Sequence, residues 1–160
     1  YVLDLAEGQS FMRWLSANGV GGFLVDWGRP DDAERGFDLT NYIADRLERF
    51  FNLVYERSRK PVFVLGYCMG GNLALALTQR RQREVAGLAL LATPWDFHAT
   101  DKSAALALAA TLRTFEPQLQ LLGELPTDVL QLLFCMLDPL LGYRKFRQIA
   151  FLDPNSEPAR

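Results

Sequence analysis

Cys68 lies in a sequence context that is typical of a catalytic nucleophile. A short apolar run, Pro61–Leu65, precedes it, and the residues after it, Asn72–Leu77, have the composition of a helix. A nucleophile at a sharp turn from a strand into a helix has strained backbone geometry and an exposed side chain, the arrangement called a nucleophile elbow. The dipole of the following helix favours a thiolate, which is the reactive form of cysteine. We therefore predict that Cys68 is a nucleophile, at a position more often held by serine.

Three glycines surround this cysteine at the spacing that the turn requires. The sequence reads Gly66-Tyr67-Cys68-Met69-Gly70-Gly71. Residues two positions either side of an elbow nucleophile must lack a side chain, which predicts a steric role for Gly66 and Gly70. Gly71 is expected to let the helix pack closely on the sheet. The backbone N–H of Met69, directly after the nucleophile, is the expected donor to an oxyanion.

The alternative interpretation of Cys68 is a structural cysteine, because free cysteines are among the most buried residues. The apolar strand, the spaced glycines and the immediate helix favour the catalytic interpretation. Cys135 lies in an apolar run and is predicted to be a core residue. Two cysteines so far apart in sequence indicate a reducing compartment rather than a disulfide framework.

Composition narrows the class of protein. The chain has 160 residues, a net charge of −2, 49% hydrophobic and 22% charged residues, which is ordinary for a globular domain. Nothing in this charge balance favours nucleic acid as a partner. With no membrane-length apolar run and no signal peptide, we expect a cytoplasmic protein. Phosphate-loop, zinc-ligand and dinucleotide-binding spacings are missing, so no cofactor and no metal are expected.

Strands and helices alternate along the first part of the chain. The hydrophobic pattern predicts helix 5–18, strand Gly22–Trp27, helix Thr40–Ser58 with Thr40 as its N-cap, strand Pro61–Leu65, helix Gly70–Arg81 and strand Val85–Ala92. Such alternation is typical of an α/β fold with a parallel sheet flanked by helices.

The pattern changes after Thr93. Leucine-rich helices are predicted at Lys102–Phe115, Thr127–Leu137 and Tyr143–Ile149, with no strand between them. We interpret this region as a helical cap inserted after the third strand. The predicted organisation is therefore a partial α/β core over residues 1–98, which carries the elbow, and a cap region over residues 99–160.

Five stretches of the chain, taken together, resemble the polyhydroxyalkanoate synthases, which are acyltransferases of the α/β-hydrolase superfamily. They are Tyr1-Val2-Leu3-Asp4-Leu5, Leu24-Val25-Asp26-Trp27-Gly28-Arg29-Pro30, Asp38-Leu39-Thr40-Asn41-Tyr42-Ile43, Leu65-Gly66-Tyr67-Cys68-Met69-Gly70-Gly71 and Thr93-Pro94-Trp95-Asp96-Phe97-His98. The resemblance covers nearly the whole chain and is greatest to the shorter-chain class, which works with a second subunit. It implies a partial α/β-hydrolase fold with a helical cap insertion.

The resemblance also implies a reaction for Cys68. The elbow cysteine of these synthases accepts a hydroxyacyl group from a coenzyme A thioester, releases CoA and passes the group to a growing polyester. The implied partners are 3-hydroxyacyl-CoA, the polyester chain or granule surface, and a second synthase subunit or a second copy of the chain. Transfer of an acyl group from one thiol to another changes the free energy little, so a cysteine is suited to carry the group.

The acidic and basic partners of the family's cysteine lie downstream of the elbow, and the resemblance places them beyond Arg160. His98, the single histidine, follows the third strand, whereas the family's base follows the last strand, so His98 is expected to be a loop or core residue. Asp26 and Asp96 follow predicted strands, where α/β sheets bind ligands, but structural hydrogen bonding is the expected role of both.

The resemblance further implies that the chain is an internal fragment. The strand between Gly22–Trp27 and Pro61–Leu65, together with the loop that supplies the second oxyanion donor, would precede Tyr1. Two strands without their shared partner leave backbone groups unpaired. We expect the isolated chain to be poorly folded and to show no turnover.

Two other functions stay open at this stage. Dienelactone hydrolases, and esterases or thioesterases more generally, use a similar elbow with water as the acceptor, although small lactone hydrolases lack a leucine-rich cap. A non-catalytic homologue that binds a partner synthase or a polyester granule is the third interpretation. The leucine-rich helices 119–141 would then form its binding surface.

Overall fold

The computed structural model describes residues 3–96, 98–99, 101–137 and 140–151. Tyr1, Val2, Phe97 and residues 152–160, which belong to the predicted domains or to the stretches that carry the resemblance, lie outside the described residues. The chain divides into two compact units, residues 1–96 and residues 97–160.

The first unit contains both strands and helices. Its elements are β1 (Asp4–Ala6), β2 (Gln9–Ser10), α1 (Phe11–Ala17), a 3₁₀-helix (Glu34–Gly36), a π-helical segment (Asn41–Leu47) continued by α2 (Glu48–Ser58), β3 (Val62–Tyr67), α3 (Met69–Arg80) and β4 (Val85–Leu91). β1 and β2 form a small antiparallel hairpin, whereas β3 and β4 pair in parallel.

The β3–α3–β4 unit is the centre of this fold. The register pairs Phe63 with Gly87 and Tyr67 with Leu91, and α3 crosses between the two strands and packs on both. Leu73, Ala74 and Leu77 of α3 are buried, and Leu77 is only 2% exposed. An apolar helix face against a parallel pair of strands is the expected way to bury such a unit. The predicted α/β class is confirmed.

One face of this parallel pair is open. Side chains alternate between the two faces of a strand, and on β3 the residues Phe63, Leu65 and Tyr67 are exposed while Gly66 is buried. Phe63 is 80% exposed. Among the described residues, β4 is the only strand paired with β3, so the other edge of β3 has no strand beside it.

Polar contacts join α3 to α2. Arg80 donates from Nε to Oε1 of Glu48 at 2.9 Å, and Arg81 donates from Nη1 to Oδ1 of Asn52 at 2.6 Å. The Arg81 guanidinium also lies over the ring of Phe51, 5.0 Å from its centroid. By its hydrogen bond to Glu84, Arg81 holds the pKa of that carboxyl below its ordinary value.

The predicted start of the first helix is wrong. Helix 5–18 was expected, but residues 4–10 form the β1–β2 hairpin and α1 begins at Phe11. The reason is an N-cap, since Oγ of Ser10 accepts a hydrogen bond from N–H of Arg13 at 2.9 Å. The predicted end is close, because Asn18 is the C-cap and Gly19 follows with a φ of 77°.

The predicted strand Gly22–Trp27 is also wrong, because this segment is irregular. A strand needs a neighbour for its backbone N–H and C=O groups, and no strand among the described residues pairs with it. Phe23 is 57% exposed. Trp27 makes edge-on ring contacts with Tyr42 and Phe50, and the distances between ring centroids are 5.6 and 6.2 Å.

The helix predicted over Thr40–Ser58 forms, but Thr40 does not cap it. Thr40 has helical dihedral angles and makes no side-chain cap hydrogen bond. Instead, Oδ1 of Asp38 accepts from N–H of Asn41 and Oδ1 of Asn41 accepts from N–H of Asp38, both at 3.0 Å. This reciprocal pair has the pattern of a capping box, with Asp38 as the cap.

The second unit contains four helices among its described residues: α4 (Lys102–Thr114), α5 (Glu116–Leu122), α6 (Thr127–Leu137) and α7 (Leu141–Ala150). The three predicted helices are present, with ends shifted by one or two residues in two of them. α5, which contains Pro117, is not among the predicted helices. Proline is tolerated in the first turn of a helix, and α5 ends at Gly123, whose φ is 73°.

Cys135 is exposed rather than a core residue, which corrects its predicted place. The buried residue of α6 is Leu133, two positions earlier, and a separation of two residues puts Cys135 on a different side of the helix. None of the helices in the described ranges is both long and apolar enough to cross a membrane.

We predict that Asp38→Ala lowers the free energy of unfolding of the intact protein by about 1 kcal/mol, because it removes the acceptor of the capping box. Thr40→Ala is the matched variant and should change it by less than about 0.5 kcal/mol. Denaturant titration followed by circular dichroism measures both. Equal losses in the two variants would contradict the assignment of Asp38 as the cap.

Candidate active site

Cys68 forms the turn between β3 and α3. β3 ends at Tyr67 and α3 begins at Met69, so a single residue changes the direction of the chain. That residue has φ 52° and ψ −128°, a conformation that costs free energy for any residue with a side chain. The Cys68 side chain is a free thiol and is exposed. Strain and exposure at this cysteine are the properties expected of an elbow nucleophile.

Hydrogen bonds on both sides hold the strained backbone. The N–H of Cys68 donates to the carbonyl oxygen of Leu91, at the end of β4, at 2.9 Å. The carbonyl oxygen of Cys68 accepts from N–H of Gly71, also at 2.9 Å. The position of the thiol is therefore tied to β4 as well as to the first turn of α3.

Two glycines allow α3 to start so close to the sheet. A Cβ atom at Gly66 would overlap the Cα atom of Gly71 and lie 2.8 Å from the carbonyl oxygen of Gly70. A Cβ atom at Gly71 would overlap the side chain of Thr93, with Cγ2 only 2.7 Å away. Both distances are shorter than any that a real Cβ atom tolerates, so these positions exclude a side chain unless the backbone moves.

Gly70 differs from its predicted steric role. A Cβ atom there would meet no atom within 4 Å among the described residues. The close approach at this turn is between Gly66 and Gly71, in agreement with the close packing of helix on sheet that was expected at Gly71. Sequence reasoning also missed Thr93, which fills the space beside Gly71. The available indication was its place two residues after the end of β4, because parallel strands end at the same edge of a sheet.

Met69 is the first residue of α3. The first N–H groups of an α-helix have no acceptor within the helix, and the helix dipole adds positive charge at this end. An N–H directly after the nucleophile is thus available in principle to a developing oxyanion. Its role as oxyanion donor stays a prediction.

The other candidate residues have separate places. Oδ1 of Asp26 accepts from N–H of Gly28 at 2.9 Å, a local turn of the structural kind that was expected. Asp96 is exposed and makes interactions of its own. His98 is exposed in a turn that belongs to the second unit, whereas Cys68 belongs to the first, and His98 likewise has interaction partners. The residues that the structure brings together at the turn are Gly66, Cys68, Met69, Gly70 and Gly71.

The chain is similar in sequence to proteins of known name. A protein-family model described as Serine aminopeptidase, S33, matches residues 7–133. Poly(3-hydroxyalkanoate) polymerase subunits PhaC of Synechocystis sp., Haloarcula marismortui and Allochromatium vinosum are each 30% identical to it, over 93%, 89% and 96% of this chain. No match was found among the solved structures.

The aligned region is only part of these relatives. It spans 41% of the Synechocystis protein, 30% of the Haloarcula protein and 43% of the Allochromatium protein. The similarity confirms the resemblance to polyhydroxyalkanoate synthases that the five sequence stretches indicated.

We predict different effects on stability for alanine at two glycines of the turn. Gly66→Ala should lower the free energy of unfolding of the intact protein by about 3 kcal/mol, because the new methyl group collides with backbone atoms of α3. Gly70→Ala should leave it unchanged or raise it by up to about 1 kcal/mol, because alanine favours the helix. Thermal and denaturant unfolding measure both. A loss in Gly70→Ala as large as that in Gly66→Ala would contradict this packing.

Proposed function

We propose that this chain carries the nucleophile of a polyester-forming acyltransferase. The premise is that the chain belongs to the family described as serine aminopeptidase, which is an α/β-hydrolase family. The observation that carries the proposal is Cys68, a cysteine in the strained elbow of a family whose description names serine. The relatives named poly(3-hydroxyalkanoate) polymerase support polyester formation, and the proposed substrates, 3-hydroxyacyl thioesters of coenzyme A, follow from the resemblance to the synthases.

The first step transfers the acyl group to the enzyme. The sulfur of Cys68 attacks the thioester carbonyl, its proton passes to a base, and the carbonyl electrons move onto oxygen. When this tetrahedral species collapses, the bond between acyl carbon and CoA sulfur breaks and CoA leaves as a thiol after taking up a proton. The products are CoA and an acyl-cysteine, which is again a thioester.

The second step transfers the acyl group to a hydroxyl. The terminal hydroxyl oxygen of the polyester chain, or of another hydroxyacyl group, attacks the acyl carbon while a base takes its proton. The bond to the sulfur of Cys68 breaks and the thiol is restored, so that one ester bond is gained in each cycle. No cofactor is required beyond the CoA carried by the substrate.

The elbow makes two contributions to both steps. It keeps the thiol exposed at the C-terminal end of β3, where a substrate can approach it. It also presents the N–H of Met69 directly beside the reacting carbonyl, where it stabilises the negative oxygen of each tetrahedral species. The base and its acidic partner are assigned to parts of the protein downstream of this chain, following the resemblance to the synthases.

The same proposal assigns a cellular location and an assembly to the intact protein. We assign the intact protein to the cytoplasm, at the surface of a polyester granule. It would act there with a second synthase subunit or as a homodimer.

Hydrolysis is the second candidate function, because the matching family is described as a peptidase. The same acyl-cysteine would then pass its acyl group to water instead of a hydroxyl. The two functions share the first step and differ only in the acceptor, so product analysis separates them.

We predict that Cys68→Ala lowers the rate of CoA release from 3-hydroxybutyryl-CoA by at least about 1000-fold in the intact protein, since the acyl carrier is lost. Cys135→Ala is the matched control, because Cys135 is the second exposed thiol of the chain, and its rate should equal that of the parent. CoA release is followed with a thiol reagent, and mass spectrometry of quenched enzyme locates the acyl group.

Undiminished CoA release in Cys68→Ala would refute the assignment of the nucleophile. A Cys68-dependent release that yields free 3-hydroxybutyrate and no polymer would favour the hydrolase. Lack of turnover in the parent protein, with added partner subunit, would favour a binding function.

A further inference from the structure

The ends of β3 and β4 have an unusual feature in common. The register pairs Tyr67 with Leu91, so Cys68 and Ala92 are the residues that directly follow the paired ends of the two strands. Both have positive φ values, 52° and 48°, in a region that residues with a side chain avoid. The elbow explains the strain at Cys68, but nothing in the elbow motif requires it at Ala92.

The residue after Ala92 reaches the elbow. Thr93 lies against Gly71, and three of its side-chain atoms, Oγ1, Cβ and Cγ2, occupy the space that a Cβ atom at Gly71 would need. Gly71 also closely approaches Gly66. The first turn of α3 is thus packed against both a glycine of β3 and the side chain of Thr93.

Thr93 contacts Gly71 by packing and not through a hydrogen bond of its hydroxyl. Its Oγ1 atom is buried and has no hydrogen-bond partner among the described residues. A buried hydroxyl without a partner is unfavourable in itself, and an apolar group of the same shape avoids that cost. Whatever Thr93 contributes here therefore comes from the volume of its side chain.

We propose that Thr93 is a positioning residue for Cys68, which deepens the proposed function and rests on it. Gly71 donates its N–H to the carbonyl oxygen of Cys68, so a movement of Gly71 displaces the nucleophile. Removing the side chain at position 93 leaves a gap into which the first turn of α3 can move. Displacements of about 1 Å at a reacting group lower rates by about 100-fold.

The test compares two variants of the intact protein in the CoA-release assay. Thr93→Ala empties the space beside Gly71 and should lower kcat by about 10- to 100-fold with KM within about twofold of the parent value. Thr93→Val keeps the shape and removes the hydroxyl, and should restore kcat to within about threefold. Thr93→Ser removes only Cγ2 and should give an intermediate kcat, which keeps the comparison available if Thr93→Ala does not fold.

A threonine elsewhere on α3 provides the matched control. Thr78 donates from Oγ1 to the carbonyl oxygen of Ala74 at 2.8 Å, far along the helix from the turn. Thr78→Ala should therefore leave kcat unchanged, even where it lowers the melting temperature. A kcat for Thr93→Ala within twofold of the parent, or a kcat for Thr93→Val as low as that of Thr93→Ala, would overturn the proposal.

Alkylation by iodoacetamide separates this proposal from the proposed function. The rate of modification of Cys68 is measured by mass spectrometry, with the exposed Cys135 in the same sample as internal reference. Thr93→Ala should change the ratio of the two rates at least threefold, and Thr93→Val should not. An unchanged ratio in Thr93→Ala overturns the positioning role even in a protein that shows no CoA release.

Discussion

The close approach of two glycine backbones, Gly66 on β3 and Gly71 on α3, is the constraint on which the rest of this site depends. It sets the distance between the helix and the sheet at the point where the chain turns. Because neither residue has a side chain, the turn needs only one residue, and that residue takes a backbone conformation with positive φ. The exposed thiol of Cys68 is thus a consequence of close packing beneath it. The position of the thiol therefore depends on the packing of Gly66 and Gly71.

Strain of this kind persists only where the surroundings support it. Different contacts support the middle of α3 and the turn that precedes it. Leu73, Ala74 and Leu77 hold the middle of α3 by burial against the sheet. The turn itself is held by hydrogen bonds to backbone groups, one of them at Leu91 on the neighbouring strand. Buried side chains therefore hold the middle of the helix, whereas backbone hydrogen bonds and the close packing at Gly71 hold its first turn.

Sequence reasoning predicted what local composition controls and missed what distant contacts control. The apolar strand, the elbow and the helix after it are all visible within residues 61–81, and the structure contains them. Gly22–Trp27 has the composition of a strand, but a strand also needs a neighbour, which composition does not supply. Thr93 was missed as a neighbour of the elbow because the register of β3 and β4 brings it there. The close packing expected at Gly71 is present, but the steric role expected at Gly70 has no neighbouring atom to support it. Spacing alone does not show which backbones approach each other.

The β3–α3–β4 unit has a further consequence for the order of folding. Its strands and helix are consecutive in the chain, over residues 62–91, and they contact one another directly. Chains fold progressively from the N-terminus during synthesis, so this unit is available to fold as soon as residues 62–91 have emerged. We therefore expect Cys68 to reach its final geometry while later segments are still being translated. A thiol that is exposed at that stage meets oxidants and electrophiles of the cell before the second unit has been synthesised.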